Sequence, residues 1–345
     1  MGASSRYRSY QFIDILENKG FKCKIYPLLK GNYIKALYKH QNIRKVYYAL
    51  VSIIERIFQV LFIKKYDLHV IEKELIPYFP PILEVILCLR GKIIILDYDD
   101  AIFHNYENIF ISRLLFGNKI PFIMNKSHGI IAGNPYILDY AKQNNINSIL
   151  IPTCVDLKKY TYKKTLKKII VGWIGSPSTS KYILDIILPI NKIIEKYNCE
   201  FHLIGFDLRL KPKFKNDNVK IIKWSYETEL KKIACFDIGI MPLEDSNWCK
   251  GKCGLKIIQY MATGIPVVAS PIGINRSIVE DNINGFLADS NKEWIDSISS
   301  LIEDNNKRQL MGNMGRQKVQ KYYDIQNNSD KLINFYEKLI YGRFN

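Results

Sequence analysis

The stretch from Lys250 to Ser270 reads KGKCGLKIIQYMATGIPVVAS. A glycine-containing polar turn comes first, and a run with helical periodicity begins near Leu255. Gly264 ends that run, and Pro266 prevents the helix from continuing. The β-branched residues that follow are typical of a buried strand. The pattern predicts a βαβ unit whose helix starts directly after a polar loop.

Working outward, short apolar runs alternate with helical patterns along the chain, which is typical of parallel α/β architecture. The predicted strands are residues 68–71, 92–96, 129–132, 148–151, 169–174, 200–204, 219–222, 238–241 and 266–269. The predicted helices are residues 9–19, 42–62, 181–197, 227–234, 255–263, 292–303 and 328–340. We therefore expect ligand sites outside the carboxyl ends of the strands.

A lysine-rich segment divides this alternation in two. It contains Lys158, Lys159, Lys163, Lys164, Lys167 and Lys168. Such a charged, polar stretch is typical of a linker. We predict an N-terminal domain over residues 1–157, a C-terminal domain over 158–325, and a final helix over 326–345 that packs back on the first domain. Residues 2–6 read as the loop after a first strand, so that strand is expected to be absent.

The junction of loop and helix after Pro242 has the chemistry of an anion site. Exposed N–H groups at a helix N-terminus attract anions. Lys252 and Lys256 lie four residues apart, so both ammonium groups can reach one anion. An ordinary βαβ unit with two solvated lysines is an alternative interpretation of the same spacing.

This part of the chain resembles the C-terminal half of GT-B glycosyltransferases of the group 1 / family 4 type. Residues 261–270 are similar to the family's Met-Ala-x-Gly-x-Pro-Val-Val-Ala-Ser, and residues 151–156 are similar to its Ile-Pro-Asn-Gly-Val-Asp. Residues 171–176 resemble the strand and glycine turn that open the family's second domain. The resemblance implies two Rossmann-like, doubly wound parallel-sheet domains facing across a cleft. It also implies a nucleoside diphosphate sugar as co-substrate, with no cofactor and no metal.

The chain departs from the family at the donor-binding carboxylates, where Gly251 and Gln259 stand. Ser176 stands where the family has an arginine, and Lys181 matches its lysine. The chain resembles a branch with a Lys-Cys-Gly-x-Lys-x-x-Gln-Tyr-Met-Ala pattern. The donor-binding residues implied are Gly2, Ser4, Arg6, Gly175, Ser176, Ser178, Thr179, Lys181, Lys252, Cys253, Gly254, Leu255, Lys256 and Gln259.

Carboxylates follow the second predicted strand at Asp97, Asp99 and Asp100. They are the predicted catalytic residues, because the carboxyl ends of parallel strands face the ligand. Their mutual repulsion is expected to raise the pKa of one of them. A helix cap with surface charge is the alternative. Lys73 and Glu74, after the first predicted strand, are candidates for the acceptor side.

The net charge of the chain is +17, which indicates an anionic partner. Residues 1–74 hold 14 Lys/Arg and 6 Asp/Glu, a net charge of +8.

Residues 33–65 are basic and apolar and resemble the lipid-facing helices of transferases that build cell-surface glycans. Basic amphipathic helices bind anionic membranes, whereas a core helix with lysine ends is the alternative. No recognisable nucleic-acid module is present, so we expect no nucleic-acid partner.

The resemblance implies a retaining, metal-independent glycosyltransferase of the hexosyltransferase type that acts on a glycan or lipid-linked acceptor in cell-surface polysaccharide or glycoconjugate synthesis. Seven scattered cysteines without a CxxC pair favour a reducing compartment. We therefore expect a cytoplasmic protein, peripheral at the inner face of the plasma membrane. A GT-B sugar-nucleotide epimerase and a degenerate, non-catalytic GT-B scaffold are the alternatives.

Overall fold

The computed structural model describes residues 2–38, 41–63, 66–107, 110–161, 168–214 and 216–342. The chain forms two compact units. Unit 1 is Met1–Thr153 with Asn328–Asn345, and unit 2 is Cys154–Asn327. Each unit is built on one parallel sheet with helices. The predicted α/β class is therefore confirmed. Of the lysines in the predicted linker, Lys163, Lys164 and Lys167 lie outside the described residues.

The sheet of unit 1 has four parallel strands in the order β1-β2-β3-β4. They are Leu68–Glu72 (β1), Ile93–Tyr98 (β2), Gly129–Ala132 (β3) and Ser148–Leu150 (β4). The β-branched run of β2 is buried throughout, as expected for a strand covered on both faces. The register pairs Glu72 with Asp97, so two carboxylates lie side by side near the carboxyl ends of neighbouring strands.

Helices surround this sheet. They are Ala3–Arg8 (α1), Ile13–Asn18 (α2), Gly31–Tyr38 (α3), Asn42–Leu61 (α4), Ile82–Leu89 (α5), Phe103–Glu107 (α6), Phe110–Phe116 (α7), Lys119–Lys126 (α8) and Pro135–Lys142 (α9). The last helix of the chain, Ile325–Tyr341, contributes its part from Asn328 onward. Its Phe335 and Leu339 leave no room for a side chain at Gly129 of β3.

The beginning of the chain differs from its prediction. Residues 2–6 were expected to form a loop, but Ala3–Arg8 is helical. The loop prediction is wrong because it ignored Tyr7 and Arg8, whose buried side chains fix this turn of helix against the unit. No strand precedes β1 among residues 2–38 and 41–63, as expected from the sequence.

The sheet of unit 2 has six parallel strands in the order β10-β9-β8-β5-β6-β7. They are Ile169–Ile174 (β5), Cys199–Ile204 (β6), Val219–Ile222 (β7), Ile238–Met241 (β8), Val267–Ala269 (β9) and Gly285–Leu287 (β10). The strand order reverses between β5 and β8, which is the point where doubly wound sheets bind ligands. The sequence did not predict β10, because three residues are too few for a visible pattern.

The helices of unit 2 are Lys181–Leu184 (α10), Ile187–Lys196 (α11), Glu229–Ile233 (α12), Asn247–Lys250 (α13), Leu255–Ala262 (α14), Asn275–Ile278 (α15), Asn291–Glu303 (α16) and Asn305–Tyr322 (α17), before Ile325–Tyr341 (α18). The predicted helix over 181–197 is two helices. Pro189 lacks an N–H and is tolerated only in a first turn, so α11 begins anew at Ile187. The sequence did not predict α17, which is polar along most of its length.

None of the helices in the described part of the chain combines the length and the apolarity needed to cross a bilayer.

Candidate functional site

The loop after β5 opens the candidate site of unit 2. A side chain at Gly175 would collide with the ring of Trp173 and would lie 2.7 Å from Thr179 Oγ1. The Ser176 N–H donates to Thr179 Oγ1 at 3.1 Å, and the Ser176 and Ser178 hydroxyls lie 2.9 Å apart. The predicted donor-binding residues of this loop therefore form one compact turn at the reversal point of the sheet.

The N-terminus of α14 lies at the same edge. Gly254 precedes the helix with φ 66° and has no side chain to cap it. A larger residue there would collide with Ile278 and would adopt an unfavourable left-handed backbone. Tyr260 anchors the helix, because its hydroxyl accepts from the Ile174 N–H at 2.9 Å. Its ring occupies the space that Gly239 leaves open.

Lys256, in the first turn of α14, is a half-buried cation. Its Nζ lies 4.6 Å from the centre of the Trp173 ring. None of the described residues forms an ion pair with it. Burial, and then the charge of Lys252, lowers the pKa of Lys256 to about 7, with Cys249 opposing this. An arriving anion would relieve both penalties.

The remaining predicted cations and loop residues surround this position. Lys181 pairs with Glu244 at 2.9 Å, which joins the first residue of α10 to the loop after β8. Cys249 Sγ lies 3.2 Å from the Tyr182 hydroxyl, which joins α10 to α13. Lys252 stacks over Trp248, with Nζ 5.3 Å from the ring centre. Cys253 is buried, and Leu255 is half-buried as the first residue of α14.

Gln259 lies deeper than the other predicted donor residues. It is buried, and its Nε2 donates to Glu229 Oε1 at 2.8 Å. Trp224 Nε1 donates to the other oxygen of Glu229 at 2.7 Å. Gly251, at the other departure from the family pattern, follows the end of α13 and is buried. Glu229 could not be predicted from the sequence, because it is thirty residues from Gln259.

The candidate site of unit 1 lies at the carboxyl ends of β1 and β2. Asp97 is buried and forms an ion pair with Arg8 of α1 at 2.7 Å. Burial raises the pKa of Asp97, although Arg8 opposes this. The neighbouring Glu72 accepts from the Ser5 hydroxyl at 3.1 Å. The pKa of Glu72 rises to about 7, because the side chain is half-buried and lies beside Asp99 and Asp97.

Lys73 connects the other carboxylates of this site. Its Nζ lies 3.0 Å from Asp99 Oδ1, 2.8 Å from Asp100 Oδ2 and 3.4 Å from Ser4 Oγ. Its backbone has φ 65°, a costly conformation for a residue with a side chain. Burial favours the protonated form of Asp99, but Lys73, the Ser4 hydroxyl and Arg8 outweigh it and lower the pKa of Asp99.

The predicted rise of one aspartate pKa falls on Asp97, where burial is the main cause and the charge of Asp99 adds to it, whereas the pKa of Asp99 itself is lowered. Lys73 was treated as a separate acceptor-side residue, and it supplies the compensating charge. The carboxylates with raised pKa values are Asp97 and Glu72. The sequence missed Glu72 because β1 was expected to end one residue earlier. It missed Arg8 because nothing in the spacing joins α1 to β2.

Other predicted residues of unit 1 lie around this centre. Glu74 accepts from the Tyr106 hydroxyl at 2.7 Å and pairs with Lys119 at 2.5 Å. Gly2 is the exposed residue before α1, and the guanidinium of Arg6 lies 5.2 Å from the centre of the Tyr7 ring. Over the described ranges, no group of three or more His, Cys, Asp or Glu side chains is arranged to hold a metal ion.

We expect Glu72→Gln to change how stability depends on pH. The folded-state pKa of about 7 exceeds the reference value of 4.5, so Glu72 favours folding when protonated, and this contribution is lost as pH rises from 4.5 to 7. Glutamine mimics the neutral form. In urea unfolding, the free energy of unfolding of the variant relative to that of the wild type should increase by about 1–2 kcal/mol between pH 5 and 8. Glu337→Gln, at an exposed position of α18, is the control, and an equal change in both variants would contradict the assignment.

The parallel sheets, the reversal point at β5 and the polar loop edges define an α/β protein of the GT-B type. Sucrose-phosphate synthase from Thermosynechococcus elongatus has this fold with a TM-score of 0.66 at 16% identity, over 86% of this chain and 80% of that chain. HepE from Anabaena, solved in complex with UDP and glucose, has a TM-score of 0.65 at 16% identity, over 81% of this chain and 80% of that chain.

Sequence comparison relates part of unit 2 to a family model. Residues 168–304 match the family model described as glycosyl transferases group 1. A D-inositol 3-phosphate glycosyltransferase from Corynebacterium urealyticum is 29% identical over 105 residues, which are 30% of this chain and 23% of that protein. The matching segments thus span less than a quarter of the curated relatives' length. The chain thus shares the GT-B fold of these solved structures, and residues 168–304 match the glycosyl transferases group 1 model, as the resemblance seen in the sequence implies.

Proposed function

We propose that the protein transfers a sugar from a nucleoside diphosphate sugar to a glycan or lipid-linked acceptor, with retention of configuration. One observation carries the proposal. The Gly175–Thr179 turn and the start of α14, which has no side-chain cap, lie together at the reversal point of the unit 2 sheet, with Lys256 beside them and in no ion pair with any described residue. Backbone N–H groups and a cation in that arrangement suit a diphosphate. A structural relative was solved with UDP, which supports a uridine nucleotide as the first donor to test.

Lys256, Lys252 and Lys181 would stabilise the charge that develops on the leaving diphosphate. Fixed cations aimed at a leaving group lower the barrier because they need no reorganisation during the reaction. Asp99 and Asp100, both held by Lys73, would contact the acceptor hydroxyl. Lys73 and Glu74 would shape the acceptor side. Gly2, Ser4 and Arg6 on α1 remain donor-side proposals, with Ser4 already in contact with Lys73.

The proposed setting is the synthesis of cell-surface polysaccharide or glycoconjugate, in the cytoplasm at the inner face of the plasma membrane. The family match and the glycosyltransferase among the relatives support the reaction class. The excess of positive charge in residues 1–74 supports attraction to an anionic surface. The same charge suits a lipid-linked acceptor with phosphate groups.

A thermal-shift screen of nucleoside diphosphates and their sugars tests the donor site. All four tryptophans, Trp173, Trp224, Trp248 and Trp294, lie in unit 2, so their fluorescence follows the unit with the proposed site. Ligand at about 100 times its Kd should stabilise the unit by about 2.7 kcal/mol, which raises its melting temperature by several degrees. The nucleoside without phosphates is the control and should have no effect.

The outcomes distinguish the proposal from its alternatives. Release of nucleoside diphosphate with sugar transfer to an acceptor supports it, and the anomeric configuration of the product reports on retention. An altered sugar nucleotide from donor alone would instead identify an epimerase. Nucleotide binding without turnover on any acceptor would favour a non-catalytic scaffold. If no nucleotide raises the tryptophan-monitored transition, the donor site is refuted.

A further inference from the structure

Helix α4 carries its apolar residues on the outside of unit 1. Ile43, Val46, Tyr47, Leu50, Ile54, Phe58 and Leu61 recur at spacings of three and four residues, so they share one side of the helix. All seven are exposed, among them Ile43 (88%), Leu50 (56%) and Phe58 (57%). Phe62 continues the row, 77% exposed and stacked on Phe58 with ring centres 6.1 Å apart. We call these eight residues the α4 apolar face.

The opposite side of α4 is polar and faces the protein. Ser52 is buried there, together with Val60. Arg56 donates to the Tyr26 carbonyl at 2.7 Å, while its Nε and the Oε1 of Gln59 are buried without a hydrogen-bond partner among the described residues. A surface helix normally has the reverse arrangement. The inversion stabilises the fold only if something apolar covers the outward side.

The surface continues beyond the end of the helix. Arg90 donates to the carbonyls of Val60 and Leu61, each at 2.8 Å. Its neighbour Leu89 is 82% exposed, so α5 adds an apolar residue close to the same end of α4. A contiguous apolar area of this extent is rare on a protein that has no partner for it.

The positive charges near both ends of the α4 apolar face favour an anionic partner. Arg44 and Lys45 lie in the first turn of α4, and the sequence places Lys64 and Lys65 just after Phe62. Cations at the ends of an apolar stripe can reach lipid phosphates while the stripe enters the acyl region. A second copy of the chain would instead bring two molecules of net charge +17 together, which electrostatic repulsion disfavours.

We propose that the α4 apolar face lies flat on an anionic lipid bilayer. The 20 residues of α4 give a row about 30 Å long, parallel to the membrane plane. The helix does not leave the fold to span the bilayer, because its other side is packed on unit 1. This docking rests on the membrane setting of the proposed function and names the surface that makes the contact. Its test measures vesicle binding and not sugar transfer, so either proposal can fail without the other.

Flotation of the full-length protein with vesicles tests the docking. The wild type should bind phosphatidylcholine vesicles that contain phosphatidylglycerol, and should bind them more weakly at high salt. Leu50→Glu/Phe58→Glu should lower the affinity by at least about tenfold, because two side chains that enter the bilayer become charged. The matched control is Leu188→Glu/Leu208→Glu, at two exposed positions of unit 2, which should bind like the wild type.

Circular dichroism and thermal unfolding check that the double variant is folded, and Ile43→Glu, at the most exposed position of the face, serves as a milder second variant. Equal vesicle binding by the wild type and both α4 variants would overturn the proposal. A wild type that does not bind anionic vesicles would also overturn it. Size-exclusion chromatography with light scattering tests the alternative that a second copy of the chain covers the face. A dimer that dissociates in the α4 variants, without vesicle binding, would make the face an interface between copies and would also overturn it.

Discussion

Replacing Lys256 with methionine is expected to weaken the binding of UDP by about ten- to a hundredfold at pH 6, the loss typical of one charge-assisted contact. Methionine keeps the length and apolar stem of the side chain, so its packing on Trp173 is retained while the charge is removed. The protein itself should become slightly more stable, because a half-buried ammonium beside Lys252 is costly. Calorimetry on the wild type and the variant measures the affinity.

The pH dependence makes this prediction specific. The pKa of Lys256 in the ligand-free protein is about 7, so above pH 7 binding of the diphosphate requires uptake of a proton. The wild-type affinity should therefore fall as pH rises through 7, by up to about tenfold per pH unit. The variant has no such proton to gain. Ionisation of UDP itself affects both proteins alike, so the ratio of their affinities isolates Lys256.

Lys192→Met, at an exposed position of α11, is the matched control. It should keep the wild-type affinity and the wild-type pH profile, because it removes the same charge away from the site. If Lys256→Met and Lys192→Met weaken UDP binding equally, the effect is long-range and Lys256 does not contact the diphosphate. If the ratio of wild-type to Lys256→Met affinity is constant from pH 6 to 9, its proton is not linked to binding.

Arg8→Met is expected to produce the largest loss of stability, about 3–5 kcal/mol, the cost of leaving one partner of a buried ion pair alone. The side chains of Arg8 and Asp97 are 2% and 6% exposed. Arg8 donates to Asp97 through Nε and Nη2 and to the Ile151 carbonyl through Nη1 at 2.7 Å. Its removal leaves a carboxylate that must either stay charged without a partner or take up a proton at neutral pH.

The positions of the tryptophans allow the loss to be localised. Tryptophan fluorescence reports only on unit 2, whereas far-UV circular dichroism reports on both units. We expect Arg8→Met to shift the urea transition seen by circular dichroism more than the one seen by fluorescence, so the two probes should separate. Such a separation also shows that a single two-state analysis no longer applies.

Two further variants separate the ion pair from other effects of Arg8→Met. The double variant Arg8→Met/Asp97→Leu removes both charges and should recover a large part of the stability, since apolar replacements of buried ion pairs are often tolerated. Arg276→Met, at an exposed position, should change stability by less than about 0.5 kcal/mol. A double variant as unstable as Arg8→Met would show that Arg8 acts through packing rather than through Asp97.

The candidate site of unit 2 was largely predictable from the sequence. Gly254, Lys256 and the turn after β5 stand at positions that the βαβ pattern places at one edge of a parallel sheet, and such edges bind ligands. The burial of Gln259 against Glu229 was not predictable, because the two residues are thirty positions apart and only the tertiary structure brings them together. For the same reason the sequence grouped Asp97 with Asp99, although the first pairs with Arg8 and the second with Lys73.

By itself, the sequence determined the strands other than β10, several of the helices and the glycine positions of the loop after β5. These depend on local periodicity and on backbone sterics, which act between near neighbours in the chain. Only the tertiary structure decided which carboxylate receives which cation, how far the pKa values of Lys256 and Glu72 move, and that α4 turns its apolar side outward. Those properties depend on desolvation and on charges that are distant in sequence, so they exist only once the chain has folded.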